Sequence, residues 1–293
     1  MESLSRRRAL ALGGSAALGT AGILAGSAVA GAAGTGTGTA TAGSGSKAAG
    51  GWQRLVVVTA NIGRKHRDQR EAAIRAVRRA VTVGGDLADP LVGWQEIGEG
   101  DDDGKEERFI REHFGKSFRN LFVGDKVAHH VPMSVPDAFN VVDQRITHAH
   151  GGKKNVSPHR VVTEAVLELA ADPQLRFVFA NTHYVAGAFN GKNDPFEAWR
   201  HKMWDKHFRK HRDDVLAHWH GKGLPVIWTG DVNRSPMPRL AGGEKRAFSR
   251  GIDQIAWLPG SNGTEIKLKR TDTVPMHVDG HSARVAVMQI RRA

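Results

Sequence analysis

The 293-residue chain has no cysteine, which removes disulfides and thiolate metal sites from every reading that follows. Such a chain reaches its fold without oxidation, which suits a protein that folds before export but does not by itself fix a location. Tyrosine is nearly missing: Tyr184 is the only one, so stacking against a planar ligand falls to tryptophan or phenylalanine. The sequence does not repeat at a fixed period, and no long amphipathic or apolar insertion stands out as a bilayer-docking hairpin.

The N-terminal stretch lacks the apolar density of a domain. Ser5-Arg6-Arg7-Arg8 precedes a Gly/Ala-rich run from Ala9 to Ala30 that ends on Ala28-Val29-Ala30. A charged start, a mildly apolar core and a small-x-small end describe residues 1–30 as an export signal of the twin-arginine type. A membrane anchor is the alternative, but Gly13, Gly14, Gly19, Gly22 and Gly26 interrupt the run and weaken it as a span. Residues 31–51 are dominated by Gly, Thr, Ala and Ser and read as a flexible linker. The expectation is a secreted or cell-envelope monomer with no stable membrane insertion once the signal is cleaved. Residues 52–293 are long enough for one domain with a substantial core.

Charge of one sign prevails, with 42 basic against 30 acidic residues. Residues 1–50 hold four of the basic residues (Arg6, Arg7, Arg8, Lys47) and one acidic residue (Glu2), so the domain keeps 38 against 29. That surplus favours anionic partners such as nucleic acid, acidic polymers or anionic lipid. Solubility alone is the plainer explanation of the same balance.

What is present is a series of short apolar strands, each releasing a polar residue at its end. Arg54–Asn61, Leu91–Glu96 and Leu175–His183 read as buried strands closing on Asn61, Glu96 and His183. Val226–Trp228 runs into Gly230-Asp231-Val232-Asn233, where an acid and an amide two residues apart suit a phosphate, a water or a hard cation. An Asx turn would give the same pattern. Gly251–Pro259 carries Asp253 near its start, and Asp279-Gly280-His281 precedes Val285–Met288.

The remaining segments carry plainer readings. Asp68–Thr82 and Glu106–Phe114 are expected as helices, Phe118–Val123 and Phe139–Ile146 as strands, and Glu99–Gly104 as a solvated acidic turn. Val161–Leu169 alternates as a partly exposed strand would, and His148, His150 and His159 fall in a Gly/Lys-rich turn. Pro195–His220 is the longest helix, with Phe196, Trp199, Met203, Phe208, Val215 and Trp219 as its expected core stripe. His207 and His211 are spaced to share a metal, but without an acidic partner motif they read as a solvated face. Strands interleaved with few helices fit an α/β sandwich of two mixed sheets.

Six of these stretches together resemble the endonuclease/exonuclease/phosphatase superfamily, the fold of DNase I, apurinic endonucleases, neutral sphingomyelinases and inositol-polyphosphate 5-phosphatases. They are Thr59-Ala60-Asn61-Ile62, Trp94-Gln95-Glu96, Asn181-Thr182-His183, Gly230-Asp231-Val232-Asn233, Ile252-Asp253-Gln254-Ile255 and Asp279-Gly280-His281, in that family's order across residues 54–290. The resemblance implies a four-layer sandwich with helices outside two mixed sheets. It also implies Mg²⁺-assisted hydrolysis of a phosphate ester, with Mn²⁺ or Ca²⁺ as alternatives. Glu96 would bind the metal with Asn61 beside it, and Asp279 would add a ligand. His281, paired with Asp253, would serve acid/base chemistry. Asp231 and Asn233 would orient the attacking water, and His183 would meet the phosphate. That family usually closes its site on adjacent Ser-Asp-His, whereas Gly280 separates Asp279 from His281 here. Arg160 is read from its position as a phosphate clamp or a surface arginine. The export signal and basic domain favour an exported nuclease. A phosphatase or phospholipase C/sphingomyelinase-like hydrolase, and a non-catalytic binding protein, remain as alternatives.

Overall fold

The computed structural model describes residues 51–63, 69–80, 89–98, 105–154, 156–189, 198–278 and 280–293. The expected export signal, nearly all of the linker, the acidic turn at 99–104, Phe196 and Asp279 lie outside the described residues.

In chain order the elements are β1 (Gln53–Asn61), α1 (Arg70–Ala80), β2 (Leu91–Gln95), α2 (Lys105–His113), β3 (Phe118–Leu121), β4 (Met133–Pro136) and β5 (Phe139–His150). Then come β6 (Arg160–Leu169), β7 (Asp172–His183), α3 (Ala198–Lys210), a π-helical stretch (His211–Leu216) and α4 (Ala217–Gly221). The chain ends with β8 (Val226–Asp231), β9 (Lys245–Arg246), β10 (Asp253–Leu258), β11 (Thr264–Val278) and β12 (His281–Arg292). Two six-stranded sheets result, ordered β11-β12-β1-β2-β4-β3 and β5-β6-β7-β8-β10-β9. Both are mixed: β1–β2 and β7–β8 are parallel, while their outer neighbours are antiparallel.

The continuous apolar strands follow from burial on both faces, since successive side chains alternate sides. Leu55 and Val57 of β1 point into the layer between the sheets, where they join Phe177, Phe179, Ile227, Ile255 and Met288. Val56, Val58 and Ala60 point outward onto Ile74 and Val77 of α1 and Ile110 of α2. In the second sheet Ile227 faces inward, whereas Val226 and Trp228 face outward onto Trp204, Val215 and Trp219. The expected four-layer sandwich is the observed one.

A polar tie joins the sheets beneath one end of the sandwich. Asn181 of β7 donates to the carbonyls of Trp94 (2.8 Å) and Pro132 (3.1 Å) and accepts from Gln95 Nε2 (2.7 Å) and Thr229 Oγ1 (3.0 Å). Gly93 of β2 permits that approach, because a β-carbon there would collide with Thr229 Oγ1 and Asn181 Oδ1.

Three expectations change. β6 is buried along most of its length, including Glu164, because the second sheet is covered by the helical run on its outer face as well as by the first sheet. Glu164 accepts hydrogen bonds from Thr147 Oγ1 and Trp219 Nε1, and burial raises its pKa. His148 and His150 lie in β5 rather than in a turn, and His150 is buried. His207 and His211 are fully buried, and Trp204 joins them, while the expected Val215 and Trp219 are buried and Trp199, Met203 and Phe208 are partly buried against the same cluster. His207 stacks flat on Tyr184 (3.8 Å between centroids) with Nε2 2.8 Å from Thr182 Oγ1, and His211 Nδ1 meets the Tyr184 hydroxyl at 3.1 Å.

Candidate active site

Strand direction assembles the site. The parallel pairs end side by side, Asn61 opposite Gln95 and His183 opposite Asp231. β10 runs the other way and starts at Asp253, directly opposite Asp231, while β12 starts at His281 beyond the end of β1. Seven of the expected residues therefore gather at one end of the two sheets: Asn61, Glu96, His183, Asp231, Asn233, Asp253 and His281. Glu96 and Asn233 leave their strands with φ of 61° and 49°, left-handed conformations that non-glycine residues seldom adopt and that recur at functional sites.

Asn61 sits between two carboxylates. Its Nδ2 donates to Asp231 Oδ2 (2.9 Å) and to Glu96 Oε1 (3.4 Å), and its Oδ1 accepts from the Gly63 N–H (2.9 Å). Asn61 thus presents its NH₂ group to the acids, with its oxygen engaged by the backbone. Asp231 Oδ1 accepts the Asn233 N–H at 2.8 Å, which folds the loop back over the strand end. Burial and then the neighbouring Asp253 charge push the Asp231 carboxyl up to about 7, against the opposing pull of His281 and the Asn233 and Asn61 hydrogen bonds.

His281 Nδ1 lies 3.1 Å from Asp253 Oδ2. Burial disfavours the imidazolium, but the Asp253 hydrogen bond and charge, with Asp231 and Glu96 behind it, lift its pKa to about 9. These carboxylates favour the imidazolium form of His281. His183 is held differently. Arg160 Nη1 lies 2.8 Å from His183 Nδ1, and a guanidinium can only donate, so Nδ1 accepts and the ring proton sits on Nε2. That nitrogen is 3.7 Å from both Glu96 Oε1 and Asp231 Oδ2. Asn233 Nδ2 donates to the Tyr184 carbonyl at 3.1 Å and lies 3.2 Å from His183 Nε2; both carry N–H groups in this tautomer, so they make no hydrogen bond to each other. Arg160, expected as a phosphate clamp or surface residue, is 1% exposed and lies behind His183.

The Glu96 and Asp231 carboxylates form a pair that a hard divalent cation fits; Asn61, with its NH₂ turned to them, offers the cation no ligand in this orientation. Ligand atoms of Asp231, Asp253 and His281 also lie within 4.8 Å of one another. A cation there would compete with the His281–Asp253 hydrogen bond. Sequence reasoning missed Arg234, which follows Asn233 and whose guanidinium lies over the rings of Phe189 (4.1 Å) and Trp204 (4.9 Å). Its adjacency to Asn233 was the one signal that could have marked it.

No protein-family model matches the sequence, and no curated protein does. Solved structures do match in fold. An endonuclease/exonuclease/phosphatase family protein from Bacteroides thetaiotaomicron is 15% identical, over 82% of this chain and 98% of that one, with a TM-score of 0.57. TDP2 of D. rerio, solved with a single-strand DNA product, is 10% identical over 80% and 98% of the two chains, with a TM-score of 0.56. A mannosyl-6-phosphatase of Bacteroides thetaiotaomicron is 16% identical over 81% and 98%, with a TM-score of 0.53. This chain accordingly has the DNase I-like fold of the endonuclease/exonuclease/phosphatase proteins.

Proposed function

We propose that this chain is a metal-dependent phosphoesterase and, within that class, an exported nuclease that hydrolyses phosphodiester bonds. The observation that carries the reading is the convergence of the Glu96 and Asp231 carboxylates, the hydrogen-bonded His281–Asp253 pair and His183 at one strand end. Attack on a phosphodiester adds negative charge to a centre that is already anionic, so the site must supply donors that strengthen as the charge grows. His183 Nε2–H and the His281 imidazolium are two such donors. Asp231, a carboxylate once a cation is bound, would with Asn233 orient the attacking water. Glu96, with Asp231 Oδ2 facing it, would hold Mg²⁺, which when bound supplies Lewis acidity and charge neutralisation. Asp253 fixes the His281 ring, and Arg160 fixes that of His183.

The net positive charge of the domain and the fold shared with a protein crystallised on DNA product support nucleic acid as substrate. The fold shared with a mannosyl-6-phosphatase supports a phosphomonoesterase as the second reading. A substrate panel separates them: plasmid DNA, RNA, bis(p-nitrophenyl) phosphate and a sugar phosphate, each with Mg²⁺, Mn²⁺ or EDTA. Metal-dependent cleavage of nucleic acid supports the nuclease. Turnover confined to the sugar phosphate moves the assignment to a phosphatase, and binding without turnover leaves a binding protein. Export is tested separately, by whether the mature protein in the cell envelope or medium begins after Ala30.

A further inference from the structure

We propose that Arg234 forms a subsite for the backbone phosphate next to the scissile one, an inference that rests on the nuclease reading above. Arg234 directly follows Asn233 in the loop that leaves β8, and its guanidinium is stacked rather than paired. The guanidinium carbon is 4.1 Å from the Phe189 centroid and 4.9 Å from that of Trp204. Among the described residues it meets no carboxylate and donates no hydrogen bond. Some arginines of the domain pair with carboxylates, Arg246 with Glu244 (3.0 Å), Arg291 with Glu265 (2.8 Å) and Arg176 with Glu168 (2.9 Å), whereas Arg234 lies over two aromatic rings beside Asn233.

The stack is itself anchored to the site. Trp204 Nε1 donates to the Val232 carbonyl at 2.7 Å, so the ring that carries Arg234 is tied to the loop between Asp231 and Asn233. Phe189 meets Trp204 edge-to-face at 5.0 Å and His201 at 4.9 Å, yet is still 37% exposed. The Phe189 and Trp204 planes lie at 82° to each other, so the planar guanidinium can lie flat on at most one of them, and the rings take up few of its N–H groups; a planar fork of donors matches two phosphate oxygens. Holding the cation in advance lowers the ordering cost of binding.

Placement selects the flanking phosphate. His183 and His281 already converge where the scissile group would sit. Trp204 belongs to the helical layer outside the second sheet, so Arg234 is offset toward that layer and away from the β12 strand that starts at His281. A polyanion crossing the site toward α3 would bring its next phosphate to this arginine.

The test uses the full chain with Arg234→Ala, Arg234→Lys and Phe189→Leu. Each is assayed on an oligonucleotide and on bis(p-nitrophenyl) phosphate, a diester that carries no second phosphate. The proposal expects Arg234→Ala to raise KM for the oligonucleotide about tenfold or more, with kcat within about twofold. The dependence of kcat/KM on salt should become shallower by about 0.7–0.9 in log–log slope, the loss of one phosphate contact. Arg234→Lys should recover most of that slope but only part of KM, since it keeps the charge and loses the fork. Phe189→Leu should raise KM through loss of the stack. Bis(p-nitrophenyl) phosphate should be turned over equally by all four proteins. An unchanged oligonucleotide KM in Arg234→Ala overturns the subsite alone. An equal loss on both substrates also overturns it, because Arg234 would then act on the scissile group or on folding. Wild-type chain that cleaves the small diester but no nucleic acid overturns the nuclease reading and the subsite with it.

Discussion

Replacing Asp253 by asparagine keeps the shape beside His281 and removes its charge. In the metal-free wild type His281 titrates at about 9, against an ordinary value of 6.5. That difference corresponds to roughly 3 kcal/mol of preference for the imidazolium. Burial opposes it, so the raising contributions exceed the net. Asp253 supplies both the hydrogen bond and the nearest charge, with Asp231 and Glu96 adding to them. Losing an opposite charge at this range lowers a pKa by about 1–3 units, which brings Asp253→Asn toward or below neutrality. The sign for stability follows. A raised folded-state pKa stabilises the native state below pH 6.5, and that contribution is lost as pH rises through about 9. The variant should therefore be less stable than wild type at pH 6 and show a smaller difference at pH 10. Proton NMR of the His281 C2–H in EDTA, assigned by its absence in His281→Ala, reads the pKa directly. A wild-type value at or below 6.5, or the same value in Asp253→Asn, would refute the assignment of Asp253 as the group that charges His281.

Three further outcomes are expected. Burial and the Asp253 charge raise Asp231 to about 7 in the metal-free site, so Mg²⁺ binding followed calorimetrically in buffers of different ionisation enthalpy should release close to one proton at pH 6, while at pH 8.5 the release should come from His281 as the cation offsets the Asp231 and Glu96 charges; no release at pH 6 would place the cation away from Asp231. Gly93→Ala should destabilise the fold by about 1–3 kcal/mol in urea melts, through the clash with Thr229 and Asn181, and an unchanged midpoint would mean the sheets part there at no cost. Burial, and for His150 also the Arg160 charge, lowers His150 to about 4 and His211 to about 3, so stability present above pH 6.5 is lost as pH falls toward those values, by up to about 1.4 kcal/mol per pH unit per histidine. The difference in urea midpoint between pH 7.5 and 5.5 should then be smaller in His211→Phe than in wild type, and an equal difference would show that His211 takes up its proton while folded.

Strand ends were readable because burial on both faces writes a strand as an unbroken apolar run, and the polar residue that closes such a run sits at the edge of the sheets. Asn61, Glu96, His183 and Asp231 are marked that way, while His281 stands before its apolar run, at the start of β12. Periodicity did not place two histidines of the long helical run. Lysines and arginines on either side of His207 and His211 suggested a solvated face, yet a neutral imidazole can stack on Tyr184 and bond to Thr182 inside the protein. His207, His211, Val215 and Trp219 are buried at four-residue intervals, so Val215 and Trp219 were legible from the helical period, and only the two histidines were not. Arg160 could not be placed from sequence, because whether the first residue of a strand points at solvent or at the neighbouring histidine depends on the partner strands. Arg234 was hidden for a related reason: its partners, Phe189 and Trp204, are distant in sequence and meet it only in the fold.

The most direct measurement is plasmid nicking by the purified full chain with Mg²⁺ or EDTA, run beside His281→Ala and Glu96→Gln. The account predicts nicking that EDTA abolishes, that falls about 10²–10⁴-fold in His281→Ala, and that in Glu96→Gln needs more Mg²⁺. Nicking that persists in EDTA, or that survives at wild-type rate in His281→Ala, would contradict it.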